Sequence, residues 1–156
     1  IGEPKAEAAA ERVEEINPAV TFAGYCETVE EAGPEALEGC NVALDCLDSV
    51  EARRGLAAAC TAAGVPLIHA AVAGWSGQVA LCDADGHLIE KLYGGGKCGL
   101  ERQLGNMAVT PAVAANVMVA RALRLLLDQE RPSEGKVLFF DLLYDDWRTV
   151  DMQGEE

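Results

Sequence analysis

Apolar positions along this chain follow two patterns, one helical and one typical of buried strands. The segment GEPKAEAAAERVEEINP has apolar residues at helical spacing, with Pro4 suited to a first helical turn and Pro18 to its end, so it predicts a first helix. The run NVALDCL, residues 41–47, is apolar almost throughout, which is typical of a central parallel strand. A helix over about 50–63 follows, opened by Asp48 or Ser49 and ended by Gly64.

Further along the chain, predicted strands follow one another more closely. PLIHAAV predicts a second buried strand, and QVALC and HLIEKLY flank the turn sequence DADG, which predicts a hairpin. The other predicted elements are a strand over 19–25, an acidic helical segment over 27–38, a Gly-rich loop over 94–110, a helix opened by Thr110 and Pro111, and the strand pair KVLFFDLL and WRTVDM. The predicted fold is α/β, an incomplete Rossmann-like parallel sheet continued by an antiparallel sheet, with helices on both faces.

Composition limits the number of domains and the kinds of partner. A chain of 156 residues, half of them hydrophobic, predicts a single domain. The 26 acidic and 12 basic side chains give a net charge of -14, and this field repels nucleic-acid phosphates. The sequence contains no secretory signal, and Asn116, Arg121 and Arg124 interrupt its most apolar stretch. We therefore expect a cytoplasmic protein with no nucleic-acid or membrane partner.

The six cysteines lack the C-x-x-C spacing of zinc sites and redox motifs, so we expect a reduced chain without zinc. Cys98 is the cysteine that lies in a flexible polar setting, within the Gly-rich loop. Lys97 and Arg102 nearby would favour its thiolate form. A plain loop cysteine and a catalytic one both fit this pattern, and the plain one is the preferred interpretation.

Two aspartates mark the end of the first buried strand. Ligands of open α/β sheets lie beyond the carboxyl ends of parallel strands, so Asp45 and Asp48 lie where a binding crevice is expected. A carboxylate there can bind magnesium, which in turn bridges nucleotide phosphates. The alternative is that Asp48 only caps the helix that follows, and spacing alone does not decide between the two. His69, within the second apolar strand, is interpreted as a core histidine whose hydrogen bonds are satisfied.

Four stretches in fixed order resemble the ThiF/MoeB/HesA family, the adenylylating enzymes related to ubiquitin-activating enzyme. They are IGEPKAEAAAERVEEINPAV, ALDCLDSVEARRGLAAAC, GVPLIHAAVAGWSGQV and LGNMAVTPAVAANVMVARALRLLL. The resemblance covers nearly the whole chain and corresponds to the C-terminal portion of the family domain. The family's Gly-rich ATP loop and its two zinc-binding cysteine pairs have no counterpart in this sequence. We therefore expect residues 1–156 to be an N-terminally incomplete domain of this type.

The resemblance implies ATP-dependent activation of the C-terminal glycine of a ubiquitin-like sulfur carrier, ThiS-like or MoaD-like, in thiamine or molybdopterin biosynthesis. It places the family's phosphate-contacting lysine at Lys5 and its magnesium-linked aspartate at Asp48. Nucleotide contacts are also expected from Leu47 and Arg54, and some family members use a loop cysteine, which makes Cys98 a catalytic candidate. A homodimer, or association with a missing N-terminal segment, is expected. Without the Gly-rich loop, the chain alone is expected to be inactive.

Two other functions remain in competition. The tRNA-modifying dehydratase branch of the same superfamily can also carry D-S at the acidic turn, but the strongly acidic charge argues against an RNA substrate. A non-catalytic module that binds the carrier or dimerises would have no need of the Gly-rich loop. ATP binding separates this module from the two enzymes, and addition of tRNA or of a sulfur carrier separates the enzymes from each other.

Overall fold

The computed structural model of the chain describes residues 2–82, 87–94, 104–105, 107–129 and 135–152. It divides the chain into an N-terminal unit, residues 1–32, and a second unit, residues 33–156.

The N-terminal unit consists of two helices joined by irregular chain. Helix α1, Lys5–Ile16, begins after Pro4, as predicted, and none of its residues is buried. Helix α2, Val29–Ala32, is capped by Thr28, whose hydroxyl oxygen accepts from the Glu31 amide while the Glu31 carboxylate accepts from the Thr28 amide. The bonds that the Glu31 carboxylate accepts from the amide and from the hydroxyl of Thr28 lower its pKa.

The strand predicted over residues 19–25 is wrong, because residues 21–26 have no regular secondary structure. A strand needs a neighbour to satisfy its backbone N–H and C=O groups, and the described residues of this unit contain none. The predicted acidic helical segment over 27–38 is confirmed in part. It consists of α2 and a 3₁₀ turn, Pro34–Leu37, separated by Gly33 at a φ of 63°.

The second unit is built on a five-stranded sheet in the order β1-β2-β3-β4-β5. The strands are β1, Ala43–Asp45; β2, Leu67–Ala73; β3, Ser76–Cys82; β4, Lys136–Asp141; and β5, Asp146–Asp151. Strands β1 and β2 are parallel, and every later pair is antiparallel. The predicted parallel layer, continued by an antiparallel sheet, is therefore confirmed.

Three helices complete the second unit in its described part. They are α3, Val50–Ala63; α4, His87–Tyr93; and α5, Val109–Leu126. Helices α3 and α4 pack on one face of the sheet, in an apolar cluster that includes Ala57, Leu88 and the strand residue Leu67. Helix α5 packs on the opposite face, where Met118 joins a cluster that includes Ile68. The prediction of helices on both faces is therefore confirmed. Successive side chains of β2 point to opposite faces, so Leu67 packs in one cluster and Ile68 in the other.

The predicted hairpin between QVALC and HLIEKLY is wrong, because HLIEKLY is helix α4. Its apolar residues Leu88, Ile89 and Leu92 lie at helical spacing and pack against the cluster beneath α3. Strand β3 pairs instead with β2, through a turn at Gly74 and Trp75, and with β4. The DADG turn lies outside the described residues.

The placement of β1 also differs from the prediction of a central strand. In the sheet as described, β1 pairs only with β2 and is an edge strand. Ala43 and Asp45 are buried, whereas Leu44 between them is 42% exposed. The strand is therefore buried on one face only, and the run is apolar throughout because the exposed side chain of Leu44 is apolar too.

Helix α5 has 18 residues and a mean hydropathy of 1.4, and by length and composition it is apolar enough to cross a membrane. The sequence analysis expected no segment apolar enough to span a membrane, because Asn116, Arg121 and Arg124 interrupt this stretch. By length and composition that expectation is wrong. Core helices of soluble proteins pass the same test. In this helix Ala114, Met118 and Ala122 are buried in the cluster that includes Ile68 and Val79, and 22% of the helix is buried inside the protein.

A close contact between glycine and an aromatic ring joins β3 to β4. Gly77 lies directly opposite Phe140 in the antiparallel register, and Phe140 also stacks on Trp147, with ring centroids 5.2 Å apart. A Cβ added at Gly77 would lie 2.3 Å from the ring atom Cζ of Phe140, which is far inside van der Waals contact. The Phe140 ring is 2% exposed and is enclosed by the core. Glycine is therefore required at position 77 by the ring above it.

We predict that Gly77→Ala destabilises the protein by about 1–3 kcal/mol, because the buried ring must shift to admit a methyl group. Urea unfolding followed by circular dichroism measures the change. In the Gly77→Ala, Phe140→Leu double variant the smaller side chain relieves the clash, so its loss should be less than the sum of the two single losses. Strict additivity of the two losses would contradict the assignment.

Candidate functional site

The candidate site begins with a buried carboxylate and imidazole on neighbouring strands. The parallel register pairs Asp45, the last residue of β1, with His69 on β2. Asp45 Oδ2 lies 2.6 Å from His69 Nδ1, and both side chains are 0% exposed. Each of the two apolar strands thus carries one polar residue at the same register position, and the two side chains form a hydrogen bond with each other.

Arg53, on the first turns of α3, supplies a positive charge to this pair. Its Nε lies 3.9 Å from Asp45 Oδ2, and its side chain is 4% exposed. Its guanidinium donates to the Leu47 carbonyl oxygen at 2.8 Å and to the Tyr93 hydroxyl at 3.0 Å. Breaking one partner of such a buried charge pair costs about 3–5 kcal/mol, since the other charge is left uncompensated.

Tyr93 and Gln78 contact the far side of the imidazole. The Tyr93 hydroxyl lies 3.1 Å from His69 Nε2, and Gln78 Nε2 lies 3.2 Å from the same nitrogen. With the ring proton on Nδ1, that nitrogen donates to Asp45 Oδ2, and Nε2 accepts from the Tyr93 hydroxyl or from the Gln78 amide.

The same network holds the turn that follows β1, here called the acidic turn, residues 45–49. Asp45 Oδ1 accepts from the Leu47 amide at 2.9 Å, while the Leu47 carbonyl oxygen accepts from Arg53. Both backbone groups of Leu47 are therefore bonded to buried charged side chains. The position of the next residue, Asp48, depends on these bonds.

Asp48 itself is exposed, and it does not cap helix α3. The cap is Ser49, whose hydroxyl oxygen accepts from the Ala52 amide at 3.2 Å. Within the described part of the chain, no hydrogen bond or ion pair engages the Asp48 carboxylate. Of the two roles weighed for Asp48, the capping role belongs to its neighbour.

The other predicted site residues are distributed as follows. Lys5 is exposed on the first turn of α1, in the N-terminal unit. Leu47 is half-buried in the acidic turn. Arg54, on α3, forms an ion pair with Glu90 of α4 at 3.1 Å and donates to the Gly94 carbonyl oxygen. Cys98 lies outside the described residues. Roles in nucleotide binding for Lys5, Leu47, Asp48 and Arg54, and a catalytic role for Cys98, stay predictions.

A magnesium ion at this site would rely on a single protein carboxylate. No group of three or more His, Cys, Asp or Glu side chains suited to a metal occurs among the residues that were described. Magnesium bound with a nucleotide takes one or two carboxylates, and phosphate oxygens and waters fill the rest of its coordination shell. The exposed Asp48 carboxylate fits that arrangement.

Three members of the network were not found from the sequence. Gln78 and Tyr93 were not singled out, and Arg53 was not predicted to lie beside Asp45. The interpretation of His69 as a satisfied core histidine is confirmed, but its pairing with Asp45 was not foreseen. A signal was present, since each of two adjacent apolar strands carries one polar residue. Tyr93 gave no usable signal, because its segment was predicted as a strand.

The carboxylate of Asp45 also affects two thiols. Burial, followed by the charge of Asp45, raises the pKa of Cys46. Burial, followed by the charges of Asp45 and of the Cys40 thiolate, raises the pKa of Cys60 to about 11. Both thiols are therefore protonated at neutral pH, which disfavours them as nucleophiles.

We predict a loss of stability at alkaline pH that depends on Cys60. Above pH 9 the unfolded thiol ionises while the folded one stays protonated, so the free energy of unfolding falls between pH 9 and the folded pKa of about 11. Urea unfolding at several pH values measures the slope. Cys60→Ala should be less stable throughout but should show a shallower decline over this range. An unchanged slope would contradict the assignment.

Comparison with known proteins gives one family and several relatives. The model of the ThiF family matches residues 1–156. A SAMP-activating enzyme E1 of Haloferax volcanii is 29% identical over 155 residues, which is 96% of this chain and 57% of that protein. A sulfur carrier protein adenylyltransferase of Thermus thermophilus is 29% identical over 161 residues, which is 96% of this chain and 59% of that protein. The chain thus spans less than two thirds of these relatives.

The fold has a solved counterpart as well. The crystal structure of PaaA superimposes with a TM-score of 0.71 at 16% sequence identity, covering 97% of this chain and 48% of that one. At this identity the match supports the fold alone. It agrees with the mixed sheet and the flanking helices described above.

Proposed function

Because the chain belongs to the ThiF family, we propose that it contributes part of an ATP-dependent adenylyltransferase site. The proposed reaction activates the C-terminal glycine of a ubiquitin-like sulfur carrier as an acyl-adenylate, in thiamine or molybdopterin biosynthesis. One observation carries the proposal. The Asp48 carboxylate is exposed beyond the carboxyl end of β1, and the capping role that would otherwise explain it is filled by Ser49.

The chemistry needs little from the protein beyond position and charge. A carboxylate oxygen of the carrier attacks the α-phosphorus of ATP, the bond to the bridging oxygen of the β-phosphate breaks, and pyrophosphate leaves. A C-terminal carboxylate is already ionised at neutral pH, so no general base is required. The Lys5 ammonium is proposed to neutralise charge on the leaving pyrophosphate. Asp48 is proposed to hold magnesium, which when bound polarises the α-phosphoryl group.

The missing Gly-rich loop limits what these residues do alone. A phosphate loop supplies backbone N–H groups that orient the nucleotide, and the 156 residues contain no such loop before a helix. Positioning supplies much of the rate in a transfer of this kind. The chain alone is therefore proposed to lack adenylation activity, and a segment bearing the loop, in cis or as a second chain, is proposed to restore it.

We predict that Asp48→Asn lowers ATP–pyrophosphate exchange by about 10²-fold or more in the chain joined to a Gly-rich-loop segment, because one charged contact to the developing transition state is lost. Exchange of labelled pyrophosphate into ATP, with a sulfur carrier present, measures the effect. The melting temperature should not change, since Asp48 makes no structural bond within the described residues.

Ser49→Ala is the matched control, one residue away. It removes the cap of α3, so it should lower the free energy of unfolding by about 1 kcal/mol while exchange per folded molecule is retained. Full exchange by Asp48→Asn would overturn the assignment of Asp48. Carrier binding without exchange by the joined chain would instead favour the non-catalytic module.

We also propose that the chain forms a homodimer through the outer face of α5. Three large apolar side chains on this face, Val119, Leu123 and Leu126, are each at least 50% exposed, and so is Leu127, the residue that follows the helix. They lie at helical spacing, opposite the buried residues of the helix. A contiguous apolar stripe of this kind is typical of an interface.

We predict that Leu123→Glu converts the dimer to a monomer, because burying an unpaired carboxylate in an apolar interface is unfavourable. Sedimentation velocity over a range of protein concentrations gives the oligomeric state. Ala58→Glu, at an exposed position of α3, is the control for added charge and should leave the dimer intact. A monomeric parent protein would refute the proposed homodimer, and a Leu123→Glu dimer would show that this face is not the interface.

A further inference from the structure

The buried network is larger than the local structure of α3 requires. Ser49 already caps this helix, and Gly64 ends it in the left-handed conformation. Asp45, His69 and Arg53 are nevertheless buried with their charges and hydrogen-bonding groups in contact. Apolar residues of similar volume at such positions are often neutral or stabilising. Helix capping and stability therefore do not account for the network, and positioning of the acidic turn is the remaining role.

We infer that Asp45, His69 and Arg53 are positioning residues that fix the backbone of the acidic turn and thereby hold the Asp48 carboxylate at the nucleotide. The inference rests on the proposed function, in which Asp48 is the group that requires positioning. It assigns to these three residues a task in the adenylation step, although none of them is placed in contact with substrate.

The bonds at Leu47 carry the argument. Its amide donates to Asp45 Oδ1 at 2.9 Å, and its carbonyl oxygen accepts from Arg53 at 2.8 Å. Leu47 is joined to Asp48 by one peptide bond, so fixing the two backbone groups of Leu47 fixes the start of Asp48. The two side chains that make these bonds are 0% and 4% exposed and cannot move freely.

His69 determines which oxygen of Asp45 is available to the turn. Its Nδ1, 2.6 Å from Oδ2, engages one carboxylate oxygen and leaves Oδ1 directed to Leu47. Gln78 of β3 and Tyr93 of α4 contact Nε2 and hold the other side of the ring. Changing Asp45 to asparagine would present an N–H to one neighbour and favour the opposite tautomer of the imidazole. The Nε2 proton would then face the amide nitrogen of Gln78.

The first test uses the chain itself and needs no activity. Amide hydrogen exchange, followed by NMR, is compared among the parent, Asp45→Asn and Arg53→Lys. Arg53→Lys keeps the positive charge but loses the planar fork that reaches both Leu47 and Tyr93. Exchange at the Leu47 amide, which donates to Asp45 Oδ1, should be about tenfold faster in both variants. Asp45→Asn changes the acceptor itself, and Arg53→Lys loosens both the Leu47 carbonyl oxygen and the Asp45 carboxylate beside it.

Met118→Ala is the matched control for a general loss of stability. Met118 is 3% exposed and lies in the apolar cluster on the face of the sheet opposite α3 and α4. It should destabilise the protein without selectively loosening the acidic turn. The inference is overturned if the Leu47 amide is no less protected in Arg53→Lys than in Met118→Ala, each measured relative to the amides of α3. If Asp45→Asn does not fold, Arg53→Lys alone decides whether the network positions the acidic turn.

The second test separates positioning from binding in the chain joined to a Gly-rich-loop segment. Misplacing Asp48 should lower kcat for ATP–pyrophosphate exchange by about 10²-fold in Arg53→Lys, with the KM for the carrier unchanged. Met118→Ala should retain its kcat per folded molecule. Equal kcat values for these two variants would overturn the inference. Absence of exchange in the parent would refute the proposed function instead, and hydrogen exchange at Leu47 would still decide whether the network positions the turn.

Discussion

A carboxylate that is fully buried at the end of a strand has to be neutralised, and much of the second unit is arranged around the way Asp45 meets this demand. An imidazole from the adjacent strand and a guanidinium from the following helix both approach it. These contacts bring β1, β2 and the start of α3 to one point. The hydroxyl of Tyr93 adds α4, and the amide of Gln78 adds β3.

The network and the apolar clusters have different tasks. Stability of the second unit comes mainly from two apolar clusters, one on each face of the sheet, since burial of apolar area is the dominant favourable contribution to folding. A buried charge pair adds little net stability beyond its own desolvation. What it adds is a fixed geometry, because each member has few alternative partners in the interior. The acidic turn is held by that geometry.

The contrast between the two aspartates of this turn follows from their surroundings. Asp45 is buried, and its two oxygens accept hydrogen bonds from His69 and Leu47. Asp48 is exposed and lies just before the cap of α3. The first aspartate is therefore suited to hold structure and the second to meet a ligand. In the proposed function, the second aspartate is the one that meets the nucleotide.

The sequence by itself determined the elements whose signals are local. Helix α3 was predicted correctly from Ser49 and Gly64, because caps act on the residues next to them. The apolar runs of β1 and β2 were correct as adjacent strands, and the antiparallel β4 and β5 pair was correct. Asp48 was identified as a candidate magnesium ligand, but only the structure showed that Ser49, and not Asp48, caps the helix.

Only the tertiary structure decided the features that depend on distant partners. HLIEKLY is too short for its period to separate helix from strand, and packing against the core beneath α3 makes it a helix. The segment over 19–25 has strand-like residues, but a strand also requires a neighbour. The contact of Asp45 with His69 spans 24 positions, and that of Arg53 with Tyr93 spans 40. Such contacts are set by strand register and helix packing, which one sequence does not specify residue by residue.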